Sequence, residues 1–252
     1  FLAIFRNRSI LFLFKKNSFN GRLVRQMLRG HLTSPLVRRT THKLHYKNFI
    51  ENVLGQDVCP KTYYKDICDL NGLPYPGPCV IKTCLGSGDS IIVKNKADWK
   101  KVVLQKFLKT NYARTSRQEN YVGLNSLIVE ELVFPNNLAM DFKLFVVQGK
   151  VRLIQVDVDR HNNHVRHLYL PNWTKCKFGL HYPPADGSVS RPPCLNNMLE
   201  AAGKIGSFFE MVRVDFYASE EQYFIGEITH FHGGGGELVS PNSNEKIFKI
   251  YT

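Results

Sequence analysis

Between Ser126 and Leu170 four runs read as strands in close order: SLIVEELV, DFKLFVVQG, KVRLIQVDVD and HVRHLYL. They are rich in β-branched and aromatic residues, and Gln148-Gly149 is a natural two-residue turn inside FVVQGKVRLIQV. A further pair lies within MVRVDFYASEEQYFIGEIT, joined by the polar turn Ala218 to Gln222, and an amphipathic helix over 195–209 leads into it. Consecutive strands with hairpin turns predict antiparallel sheet flanked by helices, hence an α+β fold and not a doubly wound parallel sheet.

The rest of the chain has a different character. Asn17 to Leu54 reads as helical, with Gly55 as the stop. Gly72 to Pro78, with two glycines and three prolines, is the clearest boundary. Beyond it CVIKTC and SIIVK flank LGSGD, which predicts a hairpin with a glycine-rich tip, and a helix is expected over 97–110. These breaks divide the chain into a basic helical region over 1–74, a small lobe over 75–133 and a larger lobe over 134–252. No GxGxxG opens a helix after a strand, and GxxxxGK[ST] is absent, so neither a Rossmann dinucleotide site nor a P-loop is indicated.

Charge is concentrated at the front. Residues 1–50 carry 11 of the 34 Lys/Arg and none of the 21 Asp/Glu, leaving 23 basic against 21 acidic groups elsewhere. A targeting segment, a nucleic-acid arm, an anionic-membrane contact or a basic face toward an anionic substrate would each account for it. The basic face is the reading preferred here, with nucleic acid the weaker one. Hydrophobic residues at 43% suffice for a core, but no apolar run approaches the length of a membrane helix. Six cysteines without a CxxC pair fit a reducing, cytoplasmic setting.

Four constellations have chemical potential. Lys82 enters a tip containing Gly86, Ser87, Gly88 and Ser90, where backbone N–H groups and an ammonium can meet phosphate oxygens; a plain hairpin tip has the same composition. Glu130-Glu131-Leu132-Val133 closes a strand, either as a solvent-facing end or as a hinge whose backbone pairs with a base edge. Asp215 and Glu227 can come side by side in an antiparallel pair, and two close carboxylates favour a cation between them. Arg213 shares the face of Asp215, placed to stabilise charge on a transferring phosphoryl group. Asp141 and Lys143 share one strand face, as do Asp157 and Asp159. The spacing of His161, His164 and His167 invites zinc, but a loop-to-strand segment does not hold all three on one side. His230 and His232 precede Gly233 to Gly236, a run that fits a lid, a nest of N–H groups or a plain turn.

Taken in order, these pieces resemble the ATP-grasp superfamily and, within it, the TupA-like family associated with teichuronopeptide and other polysaccharide biosynthesis. The resemblance runs from about residue 17 to the end, through SFNGRLVRQ, PLVRRTTHKLHYKNFIENVLG, LPYPGPCVIKTCLGSGDSIIVKNK, IVEELV, DFKLFVVQGKVRLIQVDVDRHNNHVR and VRVDFYASEEQYFIGEIT. It implies two α+β lobes clamping ATP. Lys82 would touch phosphate or adenine, with Gly86, Ser87, Gly88 and Ser90 over the phosphates. Glu130, Glu131 and Leu132 would flank adenine and ribose, Lys143 and Arg213 would neutralise the γ-phosphate, and Asp215 and Glu227 would hold Mg2+. The chemistry implied is ligation of a carboxylate to an amine through an acyl phosphate, on an anionic saccharide or peptide-like acceptor. A kinase on the same fold and a degenerate polyanion-binding protein are the alternatives. Five residues differ from the family pattern: Thr229 where Asn is common, Cys84 and Leu85 for Asn-His, Asp89 for Gly, and His42, before Lys43, for the Asp of Asp-Lys.

Overall fold

The structure, a computed structural model, describes residues 19–29, 34–85, 90–102, 126–134, 140–158, 164–219 and 222–240. The helical front divides into α1 (Phe19–Leu28), α2 (Pro35–Thr41) and α3 (His45–Leu54). Pro35 opens α2, where a fixed φ and a missing N–H cost the helix nothing. Gly55 ends α3 at φ 69°, its N–H donating to Glu51 O at 2.8 Å in a left-handed cap that glycine adopts without strain.

The first sheet has four strands, β1 (Thr62–Ile67), β2 (Cys79–Thr83), β3 (Ser90–Val93) and β4 (Leu127–Glu131), in the order β1-β4-β2-β3. The expected hairpin is there, with Cys79 opposite Val93 and Lys82 opposite Ser90. Its tip residues Gly86, Ser87, Gly88 and Asp89 lie outside the described residues. Strand β1 is a correction to the sequence reading. TYYKDI lacks apolar alternation because its pairing with β4 slips register twice, and the small sheet therefore reaches back past the boundary drawn at 74. Helix α4 (Lys96–Lys101), capped by the Asn95 side chain, is shorter than expected: Val102 is already extended, and 103–110 fall outside the described residues.

The second sheet is built from β5 (Met140–Val147), β6 (Lys150–Val158), β7 (Val165–Tyr169), β9 (Met211–Ala218) and β10 (Tyr223–Thr229), in the order β10-β9-β5-β6-β7, antiparallel throughout. Two short strands, β8 (Gly179–Leu180) and β11 (Val239–Ser240), pair beside it. Gln148 and Gly149 turn β5 into β6 at φ 48° and 75°, the doubly left-handed geometry that suits a two-residue hairpin. Helix α5 (Leu195–Gly206) buries Leu195, Met198, Ala201, Ala202 and Ile205 against Phe142, Leu144, Val146, Ile154, Val214 and Phe216. Each large side chain removed from water this way contributes about 1.5–3 kcal/mol.

Strand alternation then dictates what faces the other way. With Val212, Val214 and Phe216 under α5, Arg213, Asp215 and Tyr217 lie on the opposite face, as do Asp141 and Lys143 of β5 and Gln155 and Asp157 of β6. One end of that face is sealed by a second apolar cluster in which Leu23 of α1 and Val37 of α2 meet Phe145, Leu153, Leu168 and Phe231. The described helices α1 and α2 of the basic front thus pack onto the large sheet. No helix among the described residues is long and apolar enough to cross a membrane, and all six cysteines are free.

Candidate active site

Asp215 on β9 and Glu227 on β10 are direct register partners, so their carboxylates share one face of the sheet. A register shift between Ile225 and Glu227 sets the bulge at Gly226. Arg213 grips Asp215 with both arms, Nε to Oδ1 at 2.7 Å and Nη2 to Oδ2 at 2.8 Å, and Nη2 also reaches Thr229 Oγ1 at 3.2 Å. Thr229 therefore serves the arginine. The bidentate fork fixes the carboxylate plane.

Lys143, the register partner of Asp215 on β5, lies among three carboxylates. It contacts Asp141 Oδ2 closely, with Asp157 Oδ2 at 3.4 Å and Asp215 Oδ2 at 3.9 Å. Burial opposes its charge, but Asp141 and Asp215 outweigh burial and raise its pKa. Asp157 has a side chain with 0% exposure, yet it accepts from Gln155 Nε2 at 2.8 Å and Arg166 Nε at 2.7 Å, with His164 Nε2 at 3.0 Å. Burial pushes this carboxyl up, and Lys143 and Arg166 together hold it well below the usual range. His164 thus serves a carboxylate, His167 is buried on β7, and His161 falls outside the described residues.

The small sheet supplies the opposing wall. Lys82 Nζ donates to Glu130 Oε2 at 2.7 Å, and Lys47 Nζ of α3 lies 2.5 Å from Glu130 Oε1. Burial disfavours the Glu130 carboxylate, but these two ammoniums hold its pKa below the ordinary value. The Lys82 ammonium also sits 5.6 Å from the centroid of the Tyr217 ring, which brings the small sheet onto the polar face of the large one. From the turn before α3, Lys43 Nζ lies 3.8 Å from Glu227 Oε1. Lys82, Glu130, Lys143, Arg213, Asp215 and Glu227 are in this way gathered where the two sheets meet.

Other expected residues are placed differently. Glu131 alternates to the face of β4 that carries Leu127 and Val129, away from Lys82. The N–H groups of Glu131 and Leu132 donate to Lys61 O at 2.8 Å and Pro78 O at 3.1 Å, so both are occupied within the fold. Ser90 starts β3, exposed and opposite Lys82. Sequence reading missed Lys47, Gln155, Arg166 and Tyr217. Tyr217 had a signal, two residues from Asp215 on one strand face, whereas Lys47 reaches the site only through the packing of α3.

At the edge of the site His232–Gly235 forms a tight turn in which Gly233, Gly234 and Gly235 hold left-handed φ of 58°, 59° and 71°. His232 Nδ1 lies 2.8 Å from Glu237 Oε2, and a Cβ on Gly233 would fall 2.1 Å from Glu237 Cγ. Burial disfavours the Glu237 carboxylate, but the His232 bond and the nearby Arg213 bring its pKa down to about 2. Among the described residues, a cavity of about 120 Å³ lies elsewhere, beside Gln26, Val37 and Phe209, and another of about 420 Å³ beside Leu54, Asn197 and Lys204. The charged groups of the site are closed onto each other.

As a donor set, Asp215 and Glu227 suit a hard divalent cation such as Mg2+, which prefers carboxylate oxygen. Each Asp215 oxygen keeps a lone pair after its bond from Arg213. The cations Lys82, Lys143 and Arg213 suit a polyphosphate. The pattern of the family described as TupA-like ATPgrasp matches residues 23–249. The chain belongs to the TupA-like ATP-grasp family. Membership bears out the expected family, and the two antiparallel sheets with their flanking helices bear out the α+β fold.

Among solved structures, this TupA-like ATP-grasp chain is similar to an L-amino acid ligase from Bacillus licheniformis, at 14% identity over 79% of this chain and 45% of that one, TM-score 0.49. It is also similar to a D-alanine–D-alanine ligase from Bacillus anthracis complexed with ATP, at 12% identity over 76% and 55%, TM-score 0.45. An N5-carboxyaminoimidazole ribonucleotide synthetase from Thermus thermophilus matches at 17% identity over 77% and 46%, TM-score 0.42. The chain spans about half the length of these three proteins. No curated protein matches it.

Proposed function

We propose that this chain carries the nucleotide site of an ATP-dependent carboxylate–amine ligase that modifies an anionic saccharide or peptide-like acceptor in cell-surface polysaccharide biosynthesis. One observation carries the reading: Asp215 and Glu227 are register partners on a sheet face that also presents Lys143 and Arg213.

On this reading Lys82, with Ser90 and the tip residues Gly86, Ser87 and Gly88, cradles the phosphates, and the strand end at Glu131 and Leu132 borders the adenine. Glu130 keeps Lys82 and Lys47 charged and in place. Lys143 and Arg213 neutralise the γ-phosphoryl group as an acceptor carboxylate oxygen attacks it, forming an acyl phosphate and releasing ADP. An amine then attacks the acyl carbon, the C–O bond to phosphate breaks, and an amide and inorganic phosphate result. Mg2+ held by Asp215 and Glu227 would supply Lewis-acid stabilisation of charge on the phosphoryl oxygens. Apposition of the two sheets keeps water from the acyl phosphate. An intracellular place of action, where ATP is supplied, belongs to the same proposal.

Thermal unfolding with ATP, with and without Mg2+, tests the site. At 100 times its dissociation constant the nucleotide adds about 2.7 kcal/mol of stability. The Mg2+-dependent part is expected to vanish in Glu227→Gln, whose partly exposed side chain can change without loss of the fold, and in Asp215→Asn. Equal stabilisation of parent and both variants would remove the assignment. Product analysis separates the chemistry: ligation gives ADP, phosphate and an amide, whereas a kinase gives ADP and a phosphoester.

A further inference from the structure

Away from the paired carboxylates, His42, Asp66 and Cys84 converge from three separate segments. His42 lies in the turn between α2 and α3, Asp66 near the end of β1, and Cys84 just after β2. A ring nitrogen of His42, a carboxylate oxygen of Asp66 and Cys84 Sγ all lie within 4.8 Å of one another. Thiolate, imidazole and carboxylate together form the mixed S/N/O set that borderline-soft divalent metals take, zinc above all.

We propose that His42, Asp66 and Cys84 form a binding site for a zinc-class divalent metal, with a fourth position open to water. Bond lengths of about 2.0–2.3 Å at a tetrahedral ion place its ligands roughly 3.4–3.6 Å apart, so each pair of atoms closes by at most about 1.4 Å. Asp66 is exposed and His42 only partly covered, which leaves both the freedom to move and an entry path for the ion.

Several details fit a built site. The Ser126 hydroxyl donates to Asp66 Oδ1 at 3.0 Å, orienting that ligand from behind, and the Cys84 N–H donates to Ser126 O at 2.8 Å, which fixes the backbone of a second. His42 Nδ1, the lone-pair nitrogen of the neutral ring, accepts from Leu44 N–H at 3.3 Å, a long contact that a bound metal would replace. Asp66 is held at φ 51°, an uncommon backbone for a residue other than glycine. Burial, followed by the neighbouring His45, lowers the His42 pKa to about 4, which keeps the ring neutral.

The site would have a structural consequence. Lys43 follows His42, donates its N–H to Cys84 O at 3.0 Å, and directs its ammonium to within 3.8 Å of Glu227. A bound metal would clip the helical front to the small sheet at the base of the glycine hairpin and hold Lys43 at the rim of the carboxylate pair. Binding converts the Cys84 thiol to thiolate and releases its proton to solvent.

Titrating Co2+ into the full chain tests this, because thiolate ligation gives an ultraviolet charge-transfer band that a carboxylate site cannot produce. The band is expected to saturate at one equivalent and to disappear on adding Zn2+. Cys84→Ser should abolish it, whereas Cys68→Ser, at the exposed thiol, should leave it unchanged. His42→Gln and Asp66→Asn should each weaken Co2+ binding by at least about tenfold, the scale on which even outer-shell losses act. Ser126→Ala leaves all three ligands present and should weaken binding by about tenfold, which keeps the test decisive if Cys84→Ser fails to fold. No band in the parent, a band that survives Cys84→Ser, loss of the band in Cys68→Ser, or Ser126→Ala binding as the parent does would each overturn the assignment. None of these outcomes depends on the nucleotide site.

Discussion

Lys82 Nζ and Glu130 Oε2 meet at 2.7 Å across the adjacent strands β2 and β4, with 9% and 1% of their side chains exposed. Lys47 closes on the second oxygen of the same carboxylate, so one buried negative charge serves two ammoniums. Removing one partner of a buried pair leaves its counter-ion uncompensated, at a cost of about 3–5 kcal/mol. Glu130→Gln should therefore lower stability by that amount in urea unfolding. A loss under about 1 kcal/mol, as exposed pairs give, would mean that water reaches these lysines.

Packing on the far side of the large sheet gives a prediction independent of the site. A Cβ on Gly206 would fall 2.2 Å from Val146 Cγ1, at the end of α5 where the helix lies against β5. Overpacking of this kind costs about 1–3 kcal/mol. Gly206→Ala should lower the melting temperature while leaving Mg2+–ATP binding per folded molecule unchanged. A neutral or stabilising result would show that α5 lifts from the sheet freely.

Much of this architecture was legible because local rules and tertiary packing agree. The Gln148-Gly149 turn, the β2–β3 hairpin and the β9–β10 pair each follow from alternation and turn chemistry, and Asp215 and Glu227 fall opposite one another once β9 pairs with β10. What stayed hidden depends on contacts distant in sequence. Strand β1 is irregular in its pairing and half-buried, so no period marks it. Lys47 reads as one more basic residue of the front until α3 packs and brings it to Glu130, and Glu131 reads like Glu130 until the strand sends it to the other face. The convergence of His42, Asp66 and Cys84 has no sequence spacing at all.

Gly226 links the bulge of β10 to the lysine of the opposing sheet. An added Cβ would lie 2.4 Å from Tyr217 Cε2, and that ring sits beneath the Lys82 ammonium at 5.6 Å. In Gly226→Ala the ring must shift and Lys82 must follow or lose its seat. ATP affinity should fall by about tenfold, equivalent to about 1.4 kcal/mol, beyond any loss of stability. Unchanged affinity in a folded variant would separate Tyr217 and Lys82 from the nucleotide.

The Glu237–His232 contact gives stability a defined acid limit. The carboxylate titrates at about 2 in the fold against an ordinary 4.5, because burial is outweighed by the His232 bond at 2.8 Å and by Arg213 and Arg166 nearby. Burial meanwhile lowers the His232 pKa, with the Glu237 bond opposing it, which favours a neutral ring donating Nδ1–H. For a carboxyl depressed in the folded state, the unfolded chain binds its proton first on acidification. The contribution is whole above the unfolded value of 4.5 and is lost as pH falls toward about 2. Glu237→Gln should be less stable than the parent near neutrality by about 1–3 kcal/mol, the range for hydrogen bonds to charged groups, and the gap should close across that acid window. Denaturant unfolding of both proteins from neutral pH downward measures it. A gap that holds constant through the window would mean that the carboxylate charge contributes nothing and only the shape of the side chain matters.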